Sequence, residues 1–225
     1  MPESGSGTLP TIAVLGGTGK EGGGLALRWA HRGYGIIIGS RQQEKAEQAA
    51  AELNERLGKE VVRGMLNPDA AREATIVVLS VPYAAHRATL ESVYDEVQGK
   101  ILVDVTVPLK PPDITTVNLP AGRTAAEEAQ AFLGEGVRVV SAFQNVSAVH
   151  LRDLEHNLPC DVLVSGNDAE AKEIVMVLAE AAGARGIDVG ALPNAIVAES
   201  LTPVLLAINK RYKIKSAGIR ITGID

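Results

Sequence analysis

Leu15-Gly16-Gly17-Thr18-Gly19-Lys20-Glu21-Gly22 is a glycine-rich stretch between a short apolar run and a helical pattern. Its glycines satisfy G-x-G-x-x-G, in which the first allows a tight turn, the second lets backbone approach a pyrophosphate, and the third packs helix against strand. Free N–H groups at the start of the helix can bind a phosphate without a basic side chain. A turn without a ligand has the same local pattern, so the sequence on either side of this stretch must distinguish a nucleotide site from a plain turn. The predicted nucleotide-binding residues are Gly17, Thr18, Gly19, Lys20 and Gly22.

The composition is that of a globular domain with an aliphatic core. Hydrophobic residues make up 46% of the 225 positions and aromatic residues only 3%, which favours helices packed on a parallel sheet. The net charge of -5 argues against a nucleic-acid-binding protein. A lone cysteine, Cys160, excludes an internal disulfide and a thiolate metal cluster, and predicts a cytoplasmic setting. Because no run approaches 18 uninterrupted apolar residues, we expect no membrane span.

Short apolar runs alternate with helical patterns along the chain, as in a doubly wound α/β fold with a mostly parallel sheet of the Rossmann type. We expect a disordered tail over residues 1–10, a Rossmann domain over 11–190, and a small helical segment over 191–225. The predicted strands cover residues 11–15, 36–38, 61–63, 75–82, 100–105, 137–141, 160–166 and 186–189, with 219–222 alternating like an exposed strand.

The end of the second strand, Gly39-Ser40-Arg41, predicts the choice of dinucleotide. An acid at this position bonds the ribose 2′-OH of NAD, whereas an arginine accommodates the 2′-phosphate of NADP. This chain has no acid there. Ser40, Arg41 and Lys45 together present three donors for a phosphate, which favours NADP. Solvated residues at the start of a helix are the alternative for Arg41 and Lys45.

Two further strand ends are predicted to lie at the same edge of the sheet. The strand over 75–82 would be the fourth, so Ser80, Val81 and Pro82 would flank the nicotinamide, unless they are a plain strand end. The amides of Gln144 and Asn145 follow the sixth strand and are expected to face a substrate ring, or else to form an Asx-type turn.

The sequence predicts no catalytic acid or base and no metal site. His86 is expected to be exposed or capping, and Asp104 to be a turn or cap residue. Hydride transfer between two bound rings requires neither an acid nor a base, since the protein's task is to stack the rings and exclude water. The last helix begins near Asn194 with a strong apolar stripe that suits a partner subunit and the chain's own core equally, and Pro203 is expected to kink or restart it.

Together these motifs resemble one family, the NADPH-dependent coenzyme F420 reductases, also called F420H2:NADP+ oxidoreductases. The resemblance runs from about residue 11 to about residue 221. It rests on Gly16-Gly17-Thr18-Gly19, Gly39-Ser40-Arg41 with Lys45, Val78-Leu79-Ser80-Val81-Pro82, Val140-Ser141-Ala142-Phe143 and Glu199-Ser200-Leu201-Thr202-Pro203.

The resemblance implies hydride transfer between C4 of the nicotinamide of NADP(H) and C5 of the deazaflavin coenzyme F420, with the two rings stacked. By motif matching, Gln144 and Val146 would border the deazaflavin. The basic tail, including Lys213 and Lys215, is a solvated surface or else meets the anionic side chain of the deazaflavin. The family also implies a homodimer or a higher oligomer.

Gln144 stands where archaeal members of this family carry a histidine, so the resemblance does not decide which molecule accepts the hydride. An NADPH-dependent reductase of a flavin, a metal or an imine is one alternative. A protein that senses NADP without turnover is another, because the chain lacks an evident catalytic acid.

Overall fold

One eight-stranded sheet carries the fold in the computed structural model, which describes residues 9–121 and 123–224. Its strand order is β3-β2-β1-β4-β5-β6-β7-β8, and the only antiparallel pair among these strands is β6 with β7. The order reverses between β1 and β4, which confirms the predicted doubly wound topology. The strands are β1 Ile12–Leu15, β2 Ile36–Ser40, β3 Val62–Leu66, β4 Ile76–Leu79, β5 Ile101–Asp104, β6 Arg138–Ser141, β7 Asp161–Gly166 and β8 Arg185–Asp188.

Helices cover both faces of this sheet, which is why its central strands are uninterrupted apolar runs. All four residues of β1 and of β4 are buried, and separate apolar clusters fill the two faces. The helices are α1 Lys20–His31, α2 Gln43–Leu57, α3 Asn67–Glu73, α4 Tyr83–Ser92, α5 Ala125–Leu133, α6 Ala148–Leu151, α7 Ala169–Ala181 and α8 Ala195–Tyr212. Residues 1–8 of the predicted tail lie outside the described residues.

The predicted strand at residues 219–222 is wrong, and the expectation for Pro203 is decided only in part. Residues 219–222 are not a strand, because a single backbone hydrogen bond in the described chain, from the Asp161 N–H to the Ile219 carbonyl at 2.9 Å, joins them to the start of β7, and side chains bond the rest. The Ile221 N–H donates to Asp161 Oδ2 at 2.7 Å, and Arg185 donates to both oxygens of Asp161. The helix does not restart at Pro203, since α8 runs through the proline as one helix, and a kink there, the other expectation, stays a prediction.

Helix α8 and the turn before it form the one candidate membrane span among the described residues, at 192–212, by length and composition only. Its mean hydropathy is 1.3, and 33% of the window is buried. Side chains of α8 also bond to the rest of the fold. Glu199 accepts from the N–H of Ala125 at 2.9 Å, and the Thr202 hydroxyl donates to the backbone carbonyl of Gln144 at 2.8 Å. These contacts attach α8 to α5 and to the end of β6.

Arg28 is a buried arginine on α1 that the sequence does not reveal as structural. Its guanidinium donates to the carbonyls of Leu151 at 3.1 Å, His150 at 2.8 Å and Ala182 at 2.7 Å. These bonds hold the segment around α6, which follows β6, against α1. The position of this segment matters because its first residues line a cavity described below.

We expect Arg28→Met to lower the free energy of unfolding by roughly 2–4 kcal/mol, because it leaves buried carbonyls without donors. Urea denaturation measures the change. Arg32→Met, one turn further along the chain and exposed, is the matched control. Equal stability of the two variants would show that the Arg28 contacts contribute little.

Candidate active site

The glycine turn between β1 and α1 is pressed against the end of β4. Gly16 has a φ of +79°, and a side-chain carbon built there would lie 2.3 Å from the Ser80 carbonyl oxygen. A side-chain carbon at Gly22 would lie 3.1 Å from Ser80 Cβ. The tight turn is therefore made by Gly16, not by Gly17 as the motif predicts. Gly17 is required instead for packing, since a Cβ there would lie 2.8 Å from Ile38 Cδ1.

A first cavity of about 600 Å³ opens beside this turn. It brings together eight of the predicted cofactor residues, whereas Gly17, Lys20 and Gly22 do not line it. Five other residues of the lining are not predicted from the sequence, and of these only Gly16 belongs to one of the motifs shared with the family. They are Gly16, Gln42, Asn67, Ala85 and Thr89. The eight predicted residues in the lining are Thr18, Gly19, Ser40, Arg41, Lys45, Ser80, Val81 and Pro82.

One end of this first cavity suits a phosphate. Arg41 and Lys45 are exposed there, and no acidic residue of the described chain lines the cavity. The first N–H groups of α1 have no partner within the helix, and no side chain caps them among the described residues. Cations and free N–H groups around one cavity are the donors that a phosphorylated dinucleotide needs.

A second cavity, of about 350 Å³ and mostly apolar, lies on the other side of the turn. Glu21 of α1 lines it, as do the predicted residues Gln144 and Val146. Residues of α8, including Thr202, form another part of its lining. Lys215 lines the cavity too, whereas Lys213 is not in the lining and ends α8 in a left-handed conformation.

The amide nitrogens of Gln144 and Asn145 donate to the protein, while both side chains line the second cavity, so that their facing a substrate ring stays a prediction. Gln144 Nε2 donates to the Asp104 carbonyl at 2.7 Å and to Ser141 Oγ at 2.8 Å. Asn145 Nδ2 donates to the Asp161 carbonyl at 2.7 Å. The two amides therefore tie the end of β6 to its neighbouring strands.

His86 is buried, so the prediction that it is exposed or capping is wrong. Its Nε2 lies 2.7 Å from Asp104 Oδ2. Burial lowers the pKa of His86, but the hydrogen bond and charge of Asp104 outweigh it, so the net direction is upward. Asp104 is also the predicted turn residue, since its Oδ1 accepts from the Thr106 N–H at 2.9 Å. Only the tertiary fold brings this pair together.

The N-terminal part of the chain matches a family model. Residues 11–108 match the model described as "NADP oxidoreductase coenzyme F420-dependent". The F420-dependent NADP reductase of Methanocaldococcus jannaschii is 44% identical over 95% of this chain and 99% of its own length. That of Methanothermobacter thermautotrophicus is 44% identical over 95% of each chain.

The chain belongs to the F420-dependent NADP reductases. It is therefore an NADP-dependent oxidoreductase, and the family suggested by its motifs is confirmed.

Solved structures share the fold at much lower identity. A UDP-glucose dehydrogenase from Pyrobaculum islandicum is 17% identical, with a TM-score of 0.68 over 94% of this chain and 53% of its own. An imine reductase from Bacillus cereus is 19% identical, with a TM-score of 0.62 over 90% of this chain and 62% of its own. These likenesses confirm the Rossmann-type architecture alone.

We expect Arg41→Ala to weaken NADPH binding by about 1–3 kcal/mol, because it removes a charge-assisted hydrogen bond to the 2′-phosphate. Binding of NADH, which lacks that phosphate, should barely change. Isothermal titration calorimetry with both coenzymes measures the difference.

The control for this prediction is Arg63→Ala, on β3, where Arg63 pairs with Glu73 at 2.8 Å outside the cavity lining. Equal weakening of NADPH and NADH by Arg41→Ala would make Arg41 a structural residue.

Proposed function

We propose that this chain transfers a hydride between NADP(H) and coenzyme F420, with the nicotinamide in the first cavity and the deazaflavin in the second. The NADP phosphates bind at the glycine turn and at Ser40, Arg41 and Lys45. Ser80 to Pro82 flank the nicotinamide, and Gln144 and Val146 border the deazaflavin.

The observation that carries this proposal is the position of the glycine turn. Gly16, Thr18 and Gly19 line the first cavity, and Glu21, two residues further along, lines the second. Two ligands that touch residues this close in sequence have their ends close in space. Hydride transfer needs the donor and acceptor carbons about 3–3.5 Å apart, with water excluded.

The residues present suit the two cofactors. Pockets for small ligands usually have volumes of about 300–1,000 Å³ and are mostly apolar, with a few polar groups. The first cavity has the cations and N–H groups for a dinucleotide phosphate. The second has an apolar lining for a ring, and Lys215 supplies a positive charge for an anionic side chain.

Coenzyme F420 and NADP(H) supply the redox chemistry when they are bound, and the chain positions them. The end of β4 holds one ring position through Ser80 and Pro82. The end of β6 and α8 hold the other, where the Gln144 carbonyl accepts a hydrogen bond from Thr202. Because these groups lie on strand and helix ends rather than on free loops, they fix the relative orientation of the two rings.

Self-association through α8 and a cytoplasmic location are part of the proposal. Ile196, Val197 and Val204 on α8 are 42–55% exposed, and an exposed apolar stripe of this kind suits a second copy of the chain. The acidic net charge, the single cysteine and the contacts that attach α8 to α5 support a soluble protein that binds neither nucleic acid nor a membrane.

We expect the purified protein to oxidise NADPH when oxidised F420 is present, with a loss of deazaflavin absorbance. NADH should be a poor donor, because it lacks the 2′-phosphate to which Arg41 and Lys45 would bind. A panel of FMN, ferric chelate and a cyclic imine as acceptors is the control for acceptor identity.

Turnover with another acceptor and none with F420 would refute the assignment of the second cavity to a deazaflavin, without affecting the assignment of the NADP site. Tight NADPH binding without oxidation by any acceptor would indicate a sensor.

A further inference from the structure

Three buried oxygen atoms without a hydrogen-bond partner in the described part of the chain belong to residues that line the second cavity. They are Glu21 Oε1, Gln144 Oε1 and Asn145 Oδ1. Buried polar atoms in folded proteins almost always have a partner, and leaving one unpaired costs about 1–3 kcal/mol. Three such atoms around one cavity indicate a ligand with polar groups that bond to them.

The two amide oxygens are acceptors whose orientation is fixed by the opposite end of each amide. Gln144 Nε2 and Asn145 Nδ2 both donate to backbone carbonyls, of Asp104 and Asp161. Since a carbonyl can only accept, turning either amide over would place two oxygens against each other. Gln144 Oε1 and Asn145 Oδ1 therefore remain free to accept from the N–H groups of a ring.

Glu21 is the acid among the three, and it lies in the first turn of α1. Burial raises the pKa of Glu21 to about 8, so the carboxyl group holds its proton at neutral pH. The positive end of α1 favours the carboxylate, but burial outweighs it.

The other titratable groups near Glu21 do not provide a base for it. Lys215 is the second charged residue in the described lining of the cavity. Cys160, the residue before β7, interacts electrostatically with Glu21, and burial raises the pKa of that thiol to about 11. A pyrophosphate at the start of α1 would add negative charge and favour the neutral acid further.

We propose that Glu21 is the proton-carrying catalytic residue of this site: its carboxyl group gives a proton to a ring nitrogen of the acceptor in the second cavity, while Gln144 Oε1 and Asn145 Oδ1 accept from that ring. The inference rests on the proposed function. It departs from the expectation that no protein acid is required.

The proton from Glu21 and the hydride from NADPH together complete the reduction of the ring. The nicotinamide is oxidised as its C4–H bond breaks and the electron pair forms a C–H bond at C5 of the deazaflavin. The reduced ring then needs one proton. The Glu21 O–H bond breaks, a ring N–H bond forms, and Glu21 is left as a carboxylate that regains its proton from solvent. In the opposite direction the same carboxylate accepts the proton.

Glu199, a second buried acid near the site, has a different role. Burial raises its pKa to about 8, while two backbone donors act against this. Both of its oxygens accept N–H groups at the start of α5, from Ala125 at 2.9 Å and Ala126 at 3.2 Å. Glu199 therefore acts as a helix cap, and its carboxyl oxygens are not among the unpartnered atoms.

The first test is single-turnover reduction of F420 by NADPH in the wild type, Glu21→Gln and Glu173→Gln. Glu173 is an exposed acid on α7 and serves as the matched control. We expect Glu21→Gln to lower the rate constant by about 10²-fold, the lower end for general acid catalysis, with little change in the Kd of either cofactor. The wild-type rate should fall as pH rises through the pKa of Glu21, and this dependence should disappear in Glu21→Gln.

The second test does not depend on turnover. In protein labelled with 13C at the glutamate side-chain carboxyl, NMR follows the titration of Glu21, assigned by its loss in Glu21→Gln. We expect a protonated carboxyl at pH 7 and a changed titration when oxidised F420 binds, with the Glu173 signal unchanged.

An ionised Glu21 at pH 7, or a Glu21→Gln rate equal to that of the wild type, would overturn the inference while leaving the proposed function intact. Failure of the wild type itself to reduce F420 would instead refute the function on which the inference rests. Recovery of the pH dependence in Glu21→Asp, while Glu21→Gln stays slow and independent of pH, would support the proton-carrying role over a merely structural one.

Discussion

The absence of a side chain at Gly16 is the constraint on which the rest of the site depends. The peptide nitrogen of Gly16 donates to the Gly39 carbonyl at 3.1 Å, and the position of a Cβ would be 2.3 Å from the Ser80 carbonyl oxygen. The turn is thus held between the ends of β2 and β4. These are the strand ends that carry Arg41 and Pro82. One backbone position therefore sets the distance between the phosphate end and the nicotinamide end of the first cavity.

The same turn separates two environments with opposite properties. On one side are exposed cations, free N–H groups and no acid from the described lining, which suit a charged dinucleotide. On the other side are an apolar lining and a neutral acid, which suit a ring that gains a hydride and a proton. α8 completes this second side, where Thr202 is bonded to the end of β6 and Glu199 to the start of α5. The helix therefore lines the second cavity and is also the proposed surface for self-association.

Much of the fold could be predicted because parallel strands covered on both faces are apolar throughout, as in Ile36-Ile37-Ile38. The choice of NADP was also predictable, since Arg41 and Lys45 follow a strand end where an arginine in place of an acid favours the 2′-phosphate. Features that depend on distant partners were not. Burial of His86 requires Asp104, eighteen residues away, and the course of residues 219–222 depends on the carboxylate of Asp161. Glu21 had no visible role in the sequence, because its environment is formed by β6 and α8.

If the two rings meet directly across the turn, the hydride passes from one to the other without exchange, and isotope transfer measures this. NADPH carrying deuterium at both C4 positions is mixed with oxidised F420 and the protein, and mass spectrometry of the reduced deazaflavin measures the label. The account predicts that almost all of the transferred deuterium is retained at C5. Appearance of the label in solvent water, with unlabelled reduced deazaflavin, would contradict it, because the hydride would then have passed through an exchangeable group.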